Sequence, residues 1–240
     1  MSEHVDVLAI AAHPDDAELT CGGTLARAVE AGHRAGILDL TRGETATRGT
    51  PEIRAEEAAR ASEVLGVVVR LNAGLPDAHL ENSHEARRAV VAMLRRTTPR
   101  VVILPFRVGR HPDHRVASEL ARDACFLAGL GNYDGGPPAR PHKILYALAY
   151  REDPIKPTFV VPLSEGQFRK KLESVRCYAS QFEGADQAGE IFPTGQPLLE
   201  RVETQTRHYG SLIRQAYGEP FYTEETLSVD DVVGLDVRSI

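Results

Sequence analysis

Two short stretches concentrate the side chains able to do chemistry. In "HPDD", residues 13–16, His13, Asp15 and Asp16 share one turn with Glu18 close behind, and in "RHPDH", residues 110–114, His111 and His114 flank Asp113. Within each stretch the outer residues are three apart. On the first turn of a helix that spacing puts them on one side, while an immediate neighbour is rotated by about 100°. His13 and Asp16 can thus share one target while Asp15 points elsewhere, and the same spacing relates His111 to His114. Imidazole with carboxylate suits Zn2+ or another divalent transition metal such as Fe2+ better than calcium or magnesium. A catalytic zinc site usually takes three protein ligands and keeps a position for water. His13 and Asp16 with one or both of His111 and His114 therefore make a candidate metal site.

A bound zinc lowers the pKa of its water to about 7 and polarises a carbonyl oxygen, and an adjacent carboxylate can accept the water's proton and pass it to a leaving amine. Asp15 is placed for that task. A histidine outside the ligand set can stabilise the oxyanion formed at the attacked carbonyl, a donor whose loss costs about 10²–10³ in rate. One His-Pro-Asp alone can be a plain helix start, because proline suits the first turn and acidic residues suit the positive end of the helix dipole. Two copies, each following a strand, argue for a shared site.

The elements that must position these loops are legible. "VDVLAIAA" (5–12) is an apolar run of strand length, and "HPDD" ends it before "GTLARAVEAG" takes up helical spacing. "AGILDLT" (35–41) reads as a strand, and "TPEIRAEEAARASEVLG" (50–66) as a helix with Thr50 as N-cap, Pro51 at its first position and Gly66 at its end. "VVVRLN" (67–72) is the next strand, residues 83–99 the next helix, and "VVILPF" (101–106) a strand buried on both faces. Apolar strands alternating with helices predict an α/β fold, a Rossmann-like three-layer sandwich with a mostly parallel sheet. In such a sheet ligands bind beyond the carboxyl ends of the strands, where the strand order reverses. After about residue 130 a Gly/Pro-rich loop, two further strands ("ILYALAY" and "TFVVPLS") and a mostly helical 165–217, broken by "EGADQAGEIFPTGQP", are expected. The expected organisation is one domain over 1–240: residues 1–130 form the core carrying both motifs, and 131–240 complete the sheet and wall the pocket.

The chain has 240 residues, enough to bury roughly 70–75% of the surface it exposes when unfolded, so it needs no disulfide. Its three cysteines, Cys21, Cys125 and Cys177, are odd in number and lie in or beside apolar stretches, which reads as buried free thiols in a reducing compartment. A net charge of −6, with 28 basic against 34 acidic residues and no long Lys/Arg run, gives no footprint for nucleic acid. No stretch has the length or apolarity of a membrane span or leader, so the expectation is a cytoplasmic protein with a small-molecule partner.

Other polar positions carry weaker signals. His4, His33, His79, His84 and His208 stand alone and read as surface residues. Gly22-Gly23 lacks the spacing of the dinucleotide fingerprint and of the P-loop, and reads as a close-packing turn. In "TRGETATRG", Arg42, Glu44 and Arg48 follow a strand end and can line the mouth of the site. Arg54 can reach in, and its planar guanidinium suits a carboxylate on the substrate.

Taken with "AHPDDAE", "ILDLTRGE", "LPD", "RHPDH", "HKILY" and "YASQF", the chain resembles the zinc-dependent N-acetylglucosamine deacetylases of the PIG-L (LmbE-like) family over residues 5 to 182. Within the family it is most similar to the bacillithiol branch, whose members deacetylate N-acetylglucosaminyl malate. The resemblance implies zinc on His13, Asp16 and His114, Asp15 as general base and His111 assisting at the oxyanion. It further implies Arg54 and His142 as substrate-binding residues, a GlcNAc conjugate as substrate and a homo-oligomer, often a hexamer. Two positions depart from it. Gly109 stands where many relatives have Asp, and no tyrosine precedes Tyr209 in "PTGQPLLERVETQTRHYG" to match one that some members use on the carbonyl. The rival readings are deacetylation of free GlcNAc, chitobiose, an antibiotic or a mycothiol-type intermediate, a metal-binding relative without turnover, and a nucleotide-binding protein, for which the glycine fingerprint is lacking.

Overall fold

Apolar residues alternate along the first strand, β1 (Val7–Ala11), and the sheet has helices on both sides to receive them. Leu8 and Ile10 face a cluster with Val90, Leu94 and Leu120, while Val7, Ala9 and Ala11 face one with Leu25, Ile37 and Ile103. The computed structural model describes residues 3–148, 155–182 and 197–237. After β1 come α1 (Asp16–Glu30), β2 (Ala35–Thr41), α2 (Pro51–Leu65), β3 (Val69–Leu75), α3 (His84–Thr97), β4 (Val101–Pro105) and α4 (Pro112–Ala128). The second half adds β5 (Lys143–Ala147), β6 (Phe159–Leu163), α5 (Glu165–Arg176), α6 (Ala179–Phe182), α7 (Leu198–Leu212) and β7 (Tyr217–Tyr222). The seven strands form one sheet in the order β3-β2-β1-β4-β5-β7-β6, parallel from β3 to β5, with β7 antiparallel to both of its neighbours. This is the expected Rossmann-like α/β sandwich.

Several local expectations hold. Thr50 Oγ1 accepts from the Ile53 N–H at the start of α2, Pro51 is its first residue, and Gly66 closes it at φ +74°, where a Cβ would be strained. Two expectations need correction. Helical structure does not run to residue 217, because α7 ends at Leu212 and Tyr217–Tyr222 is a strand. Gly22-Gly23 lies inside α1 rather than in a turn. The helix kinks at Cys21, and the freed Gly23 and Thr24 N–H groups donate to the buried Glu219 of β7, which Lys171 also contacts. The close packing itself is real, since a Cβ on Gly23 would collide with Leu163. Cys21 and Cys125 are buried and Cys177 is half-buried, all as free thiols. The expected break at 183–197 lies, but for Pro197, outside the described residues, as does the end of "ILYALAY". Among the described residues no helix is long and apolar enough to cross a membrane.

Candidate metal centre

β1 and β4 are adjacent parallel strands, with Val7 paired to Val101. From β1 the chain builds outward through β2 and β3 and then crosses back to β4, so the order reverses between these two strands. Both His-Pro-Asp loops leave carboxyl ends at that point, and the topology brings them together. The β1 loop is pinned by Thr41, whose N–H and Oγ1 both donate to the Ala12 carbonyl at 3.0 Å.

At the meeting point Asp16 stands between two imidazoles. Its Oδ2 lies 3.3 Å from His13 Nδ1 and its Oδ1 lies 3.1 Å from His114 Nε2, and ligand atoms of the three residues are within 4.8 Å of one another. Oδ2 also accepts from the His13 backbone N–H at 2.9 Å. The other nitrogen of His13, Nε2, faces carboxylates from two further loops: Asp77 Oδ1 at 3.1 Å and Asp113 Oδ2 at 3.2 Å. A ring that donates Nε2–H to carboxylates has its Nδ1 lone pair turned toward Asp16 and His114, the tautomer a metal ligand needs. Burial alone would lower the basicity of His13, but Asp16 and Asp77 hold its pKa up to about 11. A cation bound among these carboxylates would replace that proton, and the donor set fits a divalent transition metal.

His13, His111 and Asp113 form a second, overlapping triad. Its members are otherwise engaged. Asp113, buried, accepts from the Ala78 N–H at 2.8 Å as well as from His13, and His111 Nδ1 caps α4 by accepting from the Asp113 N–H at 3.2 Å. With Nδ1 as acceptor the neutral ring carries its proton on Nε2. Burial and the neighbouring His114 and His13 push the His111 pKa down, which favours that neutral form. His111 sits 4.8 Å from both His13 and His114, ring centre to ring centre.

Asp15 bonds Arg54 and neither imidazole, but not through the helical spacing expected from the sequence, because α1 begins only at Asp16 and Asp15 is its non-helical N-cap. Its carboxylate accepts from Arg54 Nη2 at 2.6 Å, and Arg54 Nε and Nη2 also donate to the Pro14 carbonyl at 3.0 and 2.9 Å. The clamp holds a backbone with Asp15 at φ +119°, a conformation that L residues rarely adopt. Gly43, at φ +66°, leaves room for it, because a Cβ there would lie 2.6 Å from Arg54 Nη1. Burial lifts the Asp15 carboxyl to about 7 against the opposing pull of Arg54.

The structure gathers His13, Asp15, Asp16, Arg54, His111 and His114, but not His142. That residue is exposed at the amino end of β5, its N–H bonded to the Arg100 carbonyl, and the site lies beyond the opposite ends of the strands. Glu18 also lies apart from the cluster. It is fully buried and bound to Arg70 and to the Tyr178 hydroxyl. Arg42 pairs with Glu52 at the surface, and Glu44 holds the Asp77 loop through the Asp77 N–H at 2.9 Å.

Asp77 and Asp113 contact His13 in the candidate site, and spacing along the sequence did not single them out. Asp77 follows β3 in "LPD", a stretch quoted for the family resemblance but given no role there, whereas Asp113 lay inside the motif already read. Removing a carboxylate that orients a ligating histidine typically costs about 10–100-fold in metal affinity. Asp113→Asn is therefore expected to weaken zinc binding by about that factor, as a competition titration with a chromogenic chelator measures. Unchanged affinity would mean that Asp77 alone orients His13.

Three comparisons bear on this centre. A family model described as GlcNAc-PI de-N-acetylase matches residues 8–125, a span that contains both loops. The chain is similar to the diacetylchitobiose deacetylase of Thermococcus kodakarensis, 29% identical over 226 residues that cover 89% of this chain and 80% of the relative. Among solved structures, the conserved protein TT1542 of Thermus thermophilus superposes with a TM-score of 0.83 at 39% identity, covering 94% of this chain and 98% of that one. The N,N'-diacetylchitobiose deacetylase of Pyrococcus horikoshii, in complex with an inhibitor, superposes with a TM-score of 0.75 at 26% identity, covering 90% and 82%.

Proposed function

For a chain that belongs to the PIG-L family of GlcNAc-type de-N-acetylases, and so is a metal-dependent amidohydrolase, we propose hydrolysis of the acetamido group of a small GlcNAc-containing saccharide, with diacetylchitobiose as the first candidate. The observation that carries this is the convergence of His13, Asp16 and His114 donor atoms within 4.8 Å at the point of strand reversal, beside the buried carboxylate of Asp15. The resemblance to the bacillithiol branch implied N-acetylglucosaminyl malate. Two of the relatives described above are diacetylchitobiose deacetylases, and the proposal follows them.

His13, Asp16 and His114 hold the metal in this reading, with zinc as the candidate. When bound, it supplies Lewis-acid polarisation of an amide carbonyl and lowers the pKa of water to about 7. Asp15 takes the proton from water as it attacks the amide carbon and returns it to the departing amine nitrogen. His111 donates its Nε2–H to the carbonyl oxygen as that oxygen gains negative charge. Asp77 and Asp113 fix the tautomer of His13.

Arg54, expected from the sequence to bind substrate, is buried and bonds Asp15 and the Pro14 carbonyl, so we assign it to holding the base in place. Arg54→Met should then lower kcat by about 10²-fold, the scale on which small misplacements of a catalytic group act, with KM changed less than threefold. A steady-state titration with substrate distinguishes the two roles, and a rise in KM at constant kcat would return Arg54 to the substrate.

The function is tested by amine release from diacetylchitobiose, free GlcNAc and N-acetylglucosaminyl malate by zinc-loaded protein, each with and without chelator. Chelator-sensitive turnover highest on diacetylchitobiose is expected. Preference for the malate conjugate would restore the bacillithiol reading, and inactivity on all three would overturn a GlcNAc substrate.

A further inference from the structure

The loop "TRGETATRG" after β2 is expected from the sequence to line the mouth of the site with Arg42, Glu44 and Arg48. Thr45, in the same loop, has no part in that reading or in the proposed reaction. The structure turns this threonine onto Asp77. Its Oγ1 and its N–H both donate to Asp77 Oδ2, at 2.7 and 2.8 Å, while Asp77 Oδ1 faces His13 Nε2 at 3.1 Å. Asp77 is buried, so its carboxylate oxygens need partners, and each oxygen has its own.

Thr45 is itself held in place. At the end of β2 the buried Thr41 donates twice to the Ala12 carbonyl, and the Gly43 N–H returns to Thr41 Oγ1 at 3.2 Å. The Ala46 N–H then closes a turn on the Gly43 carbonyl at 3.2 Å. Glu44 joins the two loops from the other side, with Oε1 accepting from the Asp77 N–H at 2.9 Å and Oε2 from the Arg42 N–H at 3.1 Å. Three hydrogen bonds thus tie the Thr45 loop to the Asp77 loop. The other carboxylate on His13 is built differently. Asp113 shares a single oxygen, Oδ2, between His13 and the Ala78 N–H, whereas Asp77 gives one oxygen to His13 and the other to Thr45.

We propose that Thr45 is a positioning residue for the metal centre: by holding Asp77 Oδ2 it sets the plane of that carboxylate, and through it the rotation of the His13 ring that presents Nδ1 to a metal. The terminal torsion of an aspartate is broad, so a carboxylate held at one oxygen alone turns more freely and directs its partner less. Removing an outer partner of a ligating histidine costs about 10–100-fold in metal affinity. The Thr45 hydroxyl acts one step further out, and the backbone N–H survives any side-chain change, so its share is about three- to tenfold. This rests on the reading of His13 as a metal ligand and calls on no contact with substrate.

Zinc affinity by chelator competition tests it without turnover, on the parent, Thr45→Val, Thr45→Ser, Asp77→Ala and Thr45→Val/Asp77→Ala. Valine matches threonine in shape but lacks the hydroxyl, and Thr45 is exposed, so the melting temperature of the metal-free protein should stay with the parent's. Thr45→Val is expected to bind zinc about three- to tenfold more weakly, and Thr45→Ser to keep the parent's affinity. In the Asp77→Ala background Thr45→Val should have no further effect, because Thr45 acts through Asp77. An effect of equal size in both backgrounds, serine as weak as valine, or Thr45→Val with the parent's affinity would overturn the proposal. Histidine-selective isotope labelling of the metal-free protein reads the same link without zinc. The His13 Nε2 proton should exchange with water faster in Thr45→Val than in the parent or Thr45→Ser, and equal exchange would also overturn it. A parent that binds no zinc would instead remove the metal centre and the proposed function, and the exchange measurement would still decide whether Thr45 governs His13.

Discussion

Asp15→Asn is expected to lower kcat by about 10²–10⁴-fold, the range that a positioned general base contributes, while leaving the bound metal in place. Asparagine matches the shape of aspartate and tolerates positive φ better than most residues, so the turn at φ +119° is preserved. Its amide oxygen can still accept from Arg54 Nη2, but it cannot take up a proton. Arg54 then loses its nearest counter-charge while keeping the Pro14 carbonyl. That change costs about 1–3 kcal/mol of stability, and a thermal melt run beside the assay separates it from the loss of turnover. Metal content by elemental analysis should equal that of the parent, because His13, Asp16 and His114 are untouched. A kcat within tenfold of the parent would remove Asp15 from the role of base. Metal lost together with activity would make Asp15 a support of the metal centre.

His114→Ala should remove metal binding itself. A catalytic zinc site usually has three protein ligands, and His114 is the one that α4 contributes across the strand boundary. Its loss is expected to exceed the 10–100-fold typical of an orienting partner. The measurement does not depend on turnover. An ion that binds the native state alone stabilises it by about 2.7 kcal/mol at 100 times its Kd, so zinc should raise the melting temperature of the parent and leave that of His114→Ala nearly unchanged. His111→Ala is the control, expected to keep the zinc-dependent rise because its Nδ1 caps α4. If zinc stabilises His114→Ala as it does the parent and fails to stabilise His111→Ala, the two histidines exchange roles.

The parallel half of the sheet could be read in advance because its information is local. β1, β2 and β4 are short, mostly apolar runs, and α2 announces itself through its caps, Thr50, Pro51 and Gly66. The last strand could not be read so. Tyr217–Tyr222, "YGEPFY", carries a glycine and a proline, which weaken a strand reading, and its place between β5 and β6 rests on pairing with residues far back along the chain, such as Tyr146 with Tyr222 and Phe159 with Phe221. The kink at Cys21 was hidden for the same reason, since the acceptor for the freed N–H groups is Glu219 from that strand.

By itself the sequence determined which side chains could share a target. For residues 111–114, helical periodicity and proline at the first position of α4 place His111 beside His114 whatever surrounds them, whereas His13 meets Asp16 through a turn ahead of α1, with Asp15 at φ +119°, and not through the helical spacing expected. Only the tertiary structure decided how they are used. That His114 rather than His111 turns to Asp16, that Arg54 clamps Asp15, that Asp77 and Asp113 both reach His13, and that His142 lies at the far end of the sheet are matters of contacts between residues 39 to 100 positions apart. Spacing along the chain fixes directions within one turn, whereas distances between loops are set by the order and register of the strands that carry them.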